Sequence, residues 1–267
     1  MFKPLFIIKL GGSVITYKSH PMGKLRVKRI KEIAREIKKA QEEKKFNLIL
    51  INGVGSYGHP VAKKYNTVHG IKNKSQLRGF CEVKYIVNFL NTKINKIFFD
   101  TGLNVFPCQI SSLVTQDKGR IFSFNTDPIE QLIRQGIIPM LSGDVVSDKS
   151  WDGSVCSGDR SALYLAGEFK PERVLFASDV DGIFDRDPHK YQNAKLIPRV
   201  NKQNFSEIFC LVKKSSYIDV TGGMKGKLLE IKRNHKKTKI MIFNGLKKNF
   251  VFESFSDKKI GTFIDFA

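Results

Sequence analysis

Along the chain, short unbroken apolar runs alternate with stretches whose apolar residues recur every three to four positions. The runs are Leu5–Leu10, Leu48–Asn52, Asn104–Pro107, Ile137–Leu141, Val174–Ser178 and Lys239–Phe243. Several lack the polar alternation of a half-exposed strand, which is the pattern of strands covered on both faces in a parallel sheet. Between them, Val27, Ile30, Ile33, Ala34 and Ile37 mark one apolar helix face. Leu77, Phe80, Val83, Val87, Leu90, Ile94 and Ile97 mark a longer one. Pro128–Gln135 reads as a short helix after a cap-like Asp127. The alternation predicts an α/β fold: a three-layer αβα sandwich with a largely parallel central sheet.

No repeat, low-complexity tract or flexible linker interrupts this order. The sequence reads as one domain over residues 1–267. Its best internal division falls near Gly167–Pro171, where a helix should end before the strand Val174–Ser178; this gives lobes 1–168 and 169–267. Ser147–Ser157, rich in Gly, Ser and Asp around Trp151, reads as a hairpin or flap.

Composition narrows the class. Of 267 residues, 41% are hydrophobic, with 21 Phe, so a large core is expected and wholesale disorder is not. Cysteines at 81, 108, 156 and 210 have no CxxC spacing, which argues against a zinc site or disulfide framework and suits a reducing cytoplasm. The run Leu5–Leu10 is too short for a signal sequence or a membrane span, so no membrane partner is expected. The formal charge of +21 attracts phosphates on metabolites or nucleic acid. Its lysines are spread along the chain, and the densest clusters, Lys24–Lys45 and Lys225–Lys239, read as polar helix faces. Without a basic stripe interleaved with aromatics or a helix-turn-helix signal, nucleic acid is not the expected partner.

The candidate chemistry lies in four glycine clusters at element ends: Lys9-Leu10-Gly11-Gly12-Ser13, Gly53-Val54-Gly55-Ser56-Tyr57-Gly58-His59, Ser157-Gly158-Asp159, and Val220-Thr221-Gly222-Gly223-Met224-Lys225-Gly226-Lys227. Ligands of open parallel sheets collect beyond the carboxyl ends of the strands. There, glycine lets backbone approach a phosphate, and helix N-termini supply N–H donors. Any one cluster could be a plain tight turn. Four together, three carrying a Lys or His, point to a phosphate site. No GxxxxGK[ST] loop occurs, and the Gly-Gly-Ser after the first strand lacks the GxGxxG spacing of a Rossmann fingerprint.

The order of these clusters resembles the amino-acid kinase family. Ile8–Ser13 resembles its phosphate-binding opening, Ser178-Asp179-Val180-Asp181-Gly182-Ile183 its nucleotide segment, and Asp219–Met224 with Lys227 its late D-V-T-G-G-M-x-x-K segment. Within the family, Gly55-Ser56-Tyr57-Gly58-His59-Pro60 is similar to the second turn of the isopentenyl phosphate kinases. Ser13–Lys18 and Ser142–Val146 add to that likeness. Val54 stands where that group usually has Ala or Gly, and its branched side chain would crowd the acceptor turn.

The resemblance implies ATP- and Mg²⁺-dependent phosphorylation of isopentenyl phosphate by a cytoplasmic homodimer. By the same resemblance, Lys9, Gly11, Gly12, Ser13, Gly55, Asp179, Asp181, Gly182, Gly223 and Lys227 surround ATP. Val54, His59 and Gly158 face the acceptor, and Lys9, Lys18, His59 and Asp159 carry the catalysis. No residue is assigned to a metal.

The residue chemistry agrees with these roles. Phosphoryl transfer needs positioning and neutralised charge, and Lys9, Lys18 and Lys227 supply positive charge. His59 would hydrogen-bond the acceptor phosphate rather than act as a strong base, because a phosphate oxygen is already anionic. Asp159 reads as a helix cap that could also hold the lysines in register. Asp144 reads as structural. His20, His69, His189 and His235 show no ligand spacing and receive no role. The apolar helix from Leu77 would mostly pack the core, with some residues lining a pocket for the isoprenoid tail. A fosfomycin-type kinase of the same fold and a non-catalytic anion- or nucleic-acid-binding protein are the rival functions.

Overall fold

The computed structural model describes residues 3–18, 20, 23–67, 70–215, 223–234 and 238–266. The first half of the chain runs β1 (Leu5–Leu10), α1 (Gly12–Ile15), α2 (Val27–Glu43), β2 (Asn47–Asn52), α3 (Gly55–Lys64), α4 (Lys74–Asp100) and β3 (Val105–Pro107). Then come α5 (Ile110–Leu113), β4 (Val114–Asp117), β5 (Arg120–Phe124), α6 (Asp127–Arg134), β6 (Ile138–Ser142), β7 (Asp144–Asp148) and β8 (Asp152–Cys156). The second half runs α7 (Gly158–Phe169), β9 (Arg173–Ser178), β10 (Ile183–Phe184), β11 (Leu196–Ile197), β12 (Arg199–Val200) and α8 (Phe205–Ser215). It closes with α9 (Gly223–Asn234), β13 (Ile240–Asn244), α10 (Phe250–Ser254) and β14 (Thr262–Ile264).

Eight strands form one sheet in the order β12-β14-β13-β9-β1-β2-β6-β3. Every pairing is parallel except β13 with β14. The six apolar runs read from the sequence are all strands of this sheet, with bounds shifted by a residue or so. Strand β1 pairs with β2 on one side and β9 on the other, so both halves of the chain share a single sheet.

Side-chain alternation along β1 divides the core into the two faces of the sandwich. Ile7 joins one cluster with Ala162, Leu165, Leu228 and Ile231 of α7 and α9. Phe6, Ile8 and Leu10 join another with Ile30, Ile33 and Ile37 of α2 and Leu90, Ile94 and Phe98 of α4. The α2 face is buried as its periodicity predicts, except that Val27, at the first helical position, is exposed.

A second sheet, β5-β4-β7-β8, was not foreseen as a sheet. Its β7–β8 hairpin is the flap expected around Trp151, and Asp148 organises the turn by accepting backbone N–H bonds from Lys118, Gly119, Ser150 and Trp151. Asp127 is not a cap. Thr126 holds that position, and Asp127 is the first helical residue, where the helix dipole favours its charge.

Candidate active site

The carboxyl ends of β1, β2, β6 and β9 open into one cavity of about 850 Å³. The turns after β1 and β2 touch backbone to backbone there. A Cβ on Gly12 would lie 2.5 Å from Gly55 Cα, and Gly55 has φ +47° with Thr16 Oγ1 where its own Cβ would go. These two glycines therefore let two turns nest, a need separate from admitting a phosphate. Main-chain bonds finish the floor: Gly11 N–H donates to Ala177 O, Gly53 N–H to Leu10 O and Gly143 N–H to Asn52 O.

Of the fifteen residues singled out in the sequence, fourteen line this cavity: Lys9, Gly11, Gly12, Ser13, Lys18, Val54, Gly55, His59, Gly158, Asp159, Asp179, Gly182, Gly223 and Lys227. Asp181 does not. Its carboxylate turns to Asn244 Nδ2 at 3.0 Å and Lys247 Nζ at 2.8 Å, bracing the end of β13. The segment 219–222 of the late motif lies outside the described residues, as do His69 and His235.

Two lysines converge on one carboxylate. Lys9 Nζ is 2.8 Å from Asp159 Oδ1, and Lys227 Nζ donates to Asp159 Oδ2 at 2.8 Å. Lys227 also lies 4.1 Å from the centroid of Phe176, a cation–π contact. Burial opposes the Asp159 charge, but Lys227 and Lys9 outweigh it and hold the carboxyl well below its ordinary range. Asp159 is not the helix cap. Ser157 is, its Oγ accepting from Arg160 N–H, so Asp159 has its carboxylate directed at the lysines.

A second carboxylate works the other wall. Asp179 accepts a hydrogen bond from Ser13 Oγ at 3.0 Å and pairs with Lys18 Nζ at 2.7 Å. Burial opposes its charge too, and Lys18 and Ser13 prevail, lowering the carboxyl. Lys18 itself is 67% exposed, so its ammonium can leave Asp179 for a bound phosphate. His59 opens onto the same cavity from α3, in the helix that follows β2.

The back of the cavity is apolar. Val83 and Val87 of α4, Ala62 of α3 and Val145 of β7 form a buried cluster on which Val54 and Val155 pack. All six line the cavity. This divides α4: Val83 and Val87 face the recess, Leu90, Ile94 and Phe98 belong to the main core, and Leu77 is exposed. Val54 also seats a methyl against Gly58, so it walls the turn after β2. Burial pushes the Cys156 thiol up to about 11, which leaves it protonated and inert as a nucleophile near neutral pH.

Sequence reasoning missed the rim of basic residues. His20 after β1, and Arg186, His189 and Lys190 in the β10–β11 connection, also line the cavity. His189 Nε2 lies 3.8 Å from Asp179 Oδ2. The available signal was not metal spacing but the density of Arg, His and Lys just after the Asp179–Gly182 segment. Lys84 was missed as well. It pairs with Asp144, a buried carboxylate on the cavity wall.

Comparison with known proteins agrees with this geometry. The profile of the amino acid kinase family matches residues 4–244. The isopentenyl phosphate kinase of Methanocaldococcus jannaschii is 34% identical, covering 98% of this chain and 99% of that protein. The one from Methanothermobacter thermautotrophicus is 33% identical over 85% of each. A solved isopentenyl phosphate kinase structure superimposes with a TM-score of 0.85 at 28% identity, over 97% of this chain and 99% of that one. Glycine turns nested at the strand ends, lysines gathered on buried carboxylates and near end-to-end similarity lead to one conclusion: the chain belongs to the amino acid kinase family, on its isopentenyl phosphate kinase branch.

Proposed function

We propose that this chain is a phosphotransferase that moves the γ-phosphoryl group of ATP onto isopentenyl phosphate, yielding isopentenyl diphosphate and ADP. The observation that carries the reading is the Lys9–Asp159–Lys227 triad lying between an apolar recess and the Asp179 wall. Such a site accepts two phosphates, one of them with a short hydrocarbon attached.

An oxygen of the acceptor phosphate bonds to the γ-phosphorus as the bond to the β,γ-bridging oxygen breaks, and ADP departs with that electron pair. Both reactants are anions, so the protein's task is alignment and charge cancellation. Lys9 and Lys227 flank the transferred group, and Asp159 fixes their spacing. Lys18, released from Asp179, meets the charge that develops in the transition state. His59 donates to the acceptor phosphate, and the nested turns holding Gly12 and Gly55 keep main-chain N–H groups close to it. Val83, Val87, Val145 and Val54 receive the five-carbon tail. Mg²⁺, when bound with ATP, would supply positive charge to offset that of the β- and γ-phosphates. Among the described residues, no group of three or more His, Cys, Asp or Glu side chains could hold a metal ion.

On this reading residues 1–168 form the acceptor lobe and 169–267 the nucleotide lobe. A homodimer would cover the outer face of α4 and the edge strand β3, where Tyr85, Phe89, Phe99 and Phe106 are exposed. The four cysteines are free thiols, which fits a cytoplasmic enzyme. Among the described residues, no helix is long and apolar enough to cross a membrane.

An ADP-release assay across isopentenyl phosphate, dimethylallyl phosphate, fosfomycin and acetylglutamate tests the reading. Isopentenyl phosphate should give the highest kcat/KM. Comparable turnover of acetylglutamate or fosfomycin, or none of either prenyl phosphate, would overturn it.

A further inference from the structure

The two halves of α4 are held by different forces. From Leu90 onward the helix buries Leu90, Ile94 and Phe98 in the main core. From Lys74 to Val87 its buried residues are Gln76, Gly79, Val83 and Val87, so less apolar area holds that half, chiefly through Val83 and Val87. This is the half that roofs the recess, through Val83 and Val87.

Polar ties add to this packing. Glu82 accepts from Tyr65 Oη of the α3 C-cap at 2.9 Å. Lys84 Nζ donates to Asp144 Oδ2 at 2.5 Å, crossing from α4 to β7 on the far side of the recess. Only the second tie spans the recess. Asp144 Oδ1 accepts the N–H of Val145, so both carboxylate oxygens are satisfied. The carboxylate is 1% exposed, and burial raises its pKa against the pull of Lys84 and the Val145 N–H. An ion pair in such a place costs much to separate once formed. Lifting the amino-terminal half of α4 away from β7 to admit a longer tail would pull Lys84 off Asp144.

We propose that the Lys84–Asp144 pair limits the acceptor to short prenyl phosphates by clamping the amino-terminal half of α4 across the tail recess. The inference rests on the prenyl phosphate reading above. It makes Lys84 a specificity-determining residue that acts through α4 rather than by touching the reacting phosphates.

The test compares isopentenyl phosphate with a ten-carbon prenyl monophosphate in the full chain and in Lys84→Met/Asp144→Asn, which leaves no charge unpaired. The ratio of kcat/KM, long over short, should rise by about tenfold or more, the scale on which pocket fit discriminates methylenes. Lys84→Arg, which keeps the pair, should hold the wild-type ratio. Lys84→Gln, which keeps one weaker hydrogen bond, should fall between and serves if the double variant does not fold. If the pair only neutralises Asp144 near the acceptor phosphate, both substrates suffer alike and the ratio stays put, which overturns the proposal. A wild-type enzyme inactive on isopentenyl phosphate would instead refute the functional reading, independently of the variants.

Discussion

Arg160 and Glu230 join α7 to α9: the guanidinium donates to Glu230 Oε1 from Nη2 at 2.9 Å and from Nε at 3.3 Å. Asp159, directly before Arg160 on α7, and Lys227, three positions before Glu230 on α9, form a second bridge of opposite polarity. The two bridges lie about one helical turn apart on α9. Together they fix both the rotation and the axial position of the helix that carries Lys227.

Glu230→Gln should therefore lower kcat/KM for ATP by roughly tenfold, the loss expected when a charge-assisted bond becomes a neutral one. Arg160 does not line the cavity, so it acts as a positioning residue. The reversed pair Arg160→Glu/Glu230→Arg should restore at least part of the loss. Steady-state kinetics of the single and double variants check this, and two additive defects without recovery would remove the bridge from the mechanism.

His59→Ala should raise KM for isopentenyl phosphate or depress its kcat/KM by roughly ten- to a hundredfold, the worth of a hydrogen bond to a charged group. The ATP dissociation constant should barely move. His59→Gln should regain part of the loss, because a donor is needed and a base is not. Calorimetry of ATP binding alongside acceptor kinetics decides it. Weaker ATP binding with normal acceptor kinetics would reverse the orientation assigned to the site.

Lys18→Ala should reduce kcat by about a hundredfold or more, the scale of losing one donor aimed at transition-state charge, while the KM values change far less. Asp179, relieved of Lys18, still keeps its bond from Ser13. Pre-steady-state phosphoryl transfer would isolate the step. An unchanged kcat would mean that Lys18 only neutralises Asp179.

Asp159 gives a stability signature with a definite sign. Its carboxyl titrates below the ordinary unfolded value of about 3.9. The stabilisation is therefore complete above that pH and drains away as pH falls toward the folded-state value. Asp159→Asn should cost about 3 kcal/mol near neutrality, since two lysines lose their shared partner. The gap to wild type should stay level between about pH 5 and 8 and narrow below about pH 4. Urea melts across that range check it, and a gap that widened in acid would contradict the assigned coupling.

Much of this site was readable from residue order because its parts are local. Lys9-Leu10-Gly11-Gly12-Ser13 and Gly53–His59 each hold strand end, turn and functional side chain within a few positions, so type and spacing announce them. The partners were harder. Nothing near Asp159 in the sequence says that Lys9 and Lys227 will meet it, and its place beside Gly158 at a helix start suggested a cap that Ser157 in fact supplies. Lys84 sits within an apolar helical pattern and reads as a solvated charge until β7 brings Asp144 to it. The four-stranded second sheet escaped notice because its strands are short and polar, and the residues they send into the core, Val114, Phe124, Val146 and Cys156, are too scattered to make an apolar run. Four thiols, +21 charge and scattered histidines said less than the glycines did.

The central seat of β1 sets a schedule for synthesis. One edge of β1 is covered once β2 has formed, but the other must wait for β9, because β9 is its only remaining neighbour. Everything from Gly53 to Glu172 is made in between, and at roughly 5–20 residues per second that interval is on the order of ten seconds. Throughout it, the nascent chain carries an open edge on one of its most apolar strands, Leu-Phe-Ile-Ile-Lys-Leu, a template for pairing with the wrong chain. Lys9, which near the end of that strand pairs with Asp159 in the finished fold, is also the single charge within it, and so the strand's own guard against aggregation while the sheet is incomplete.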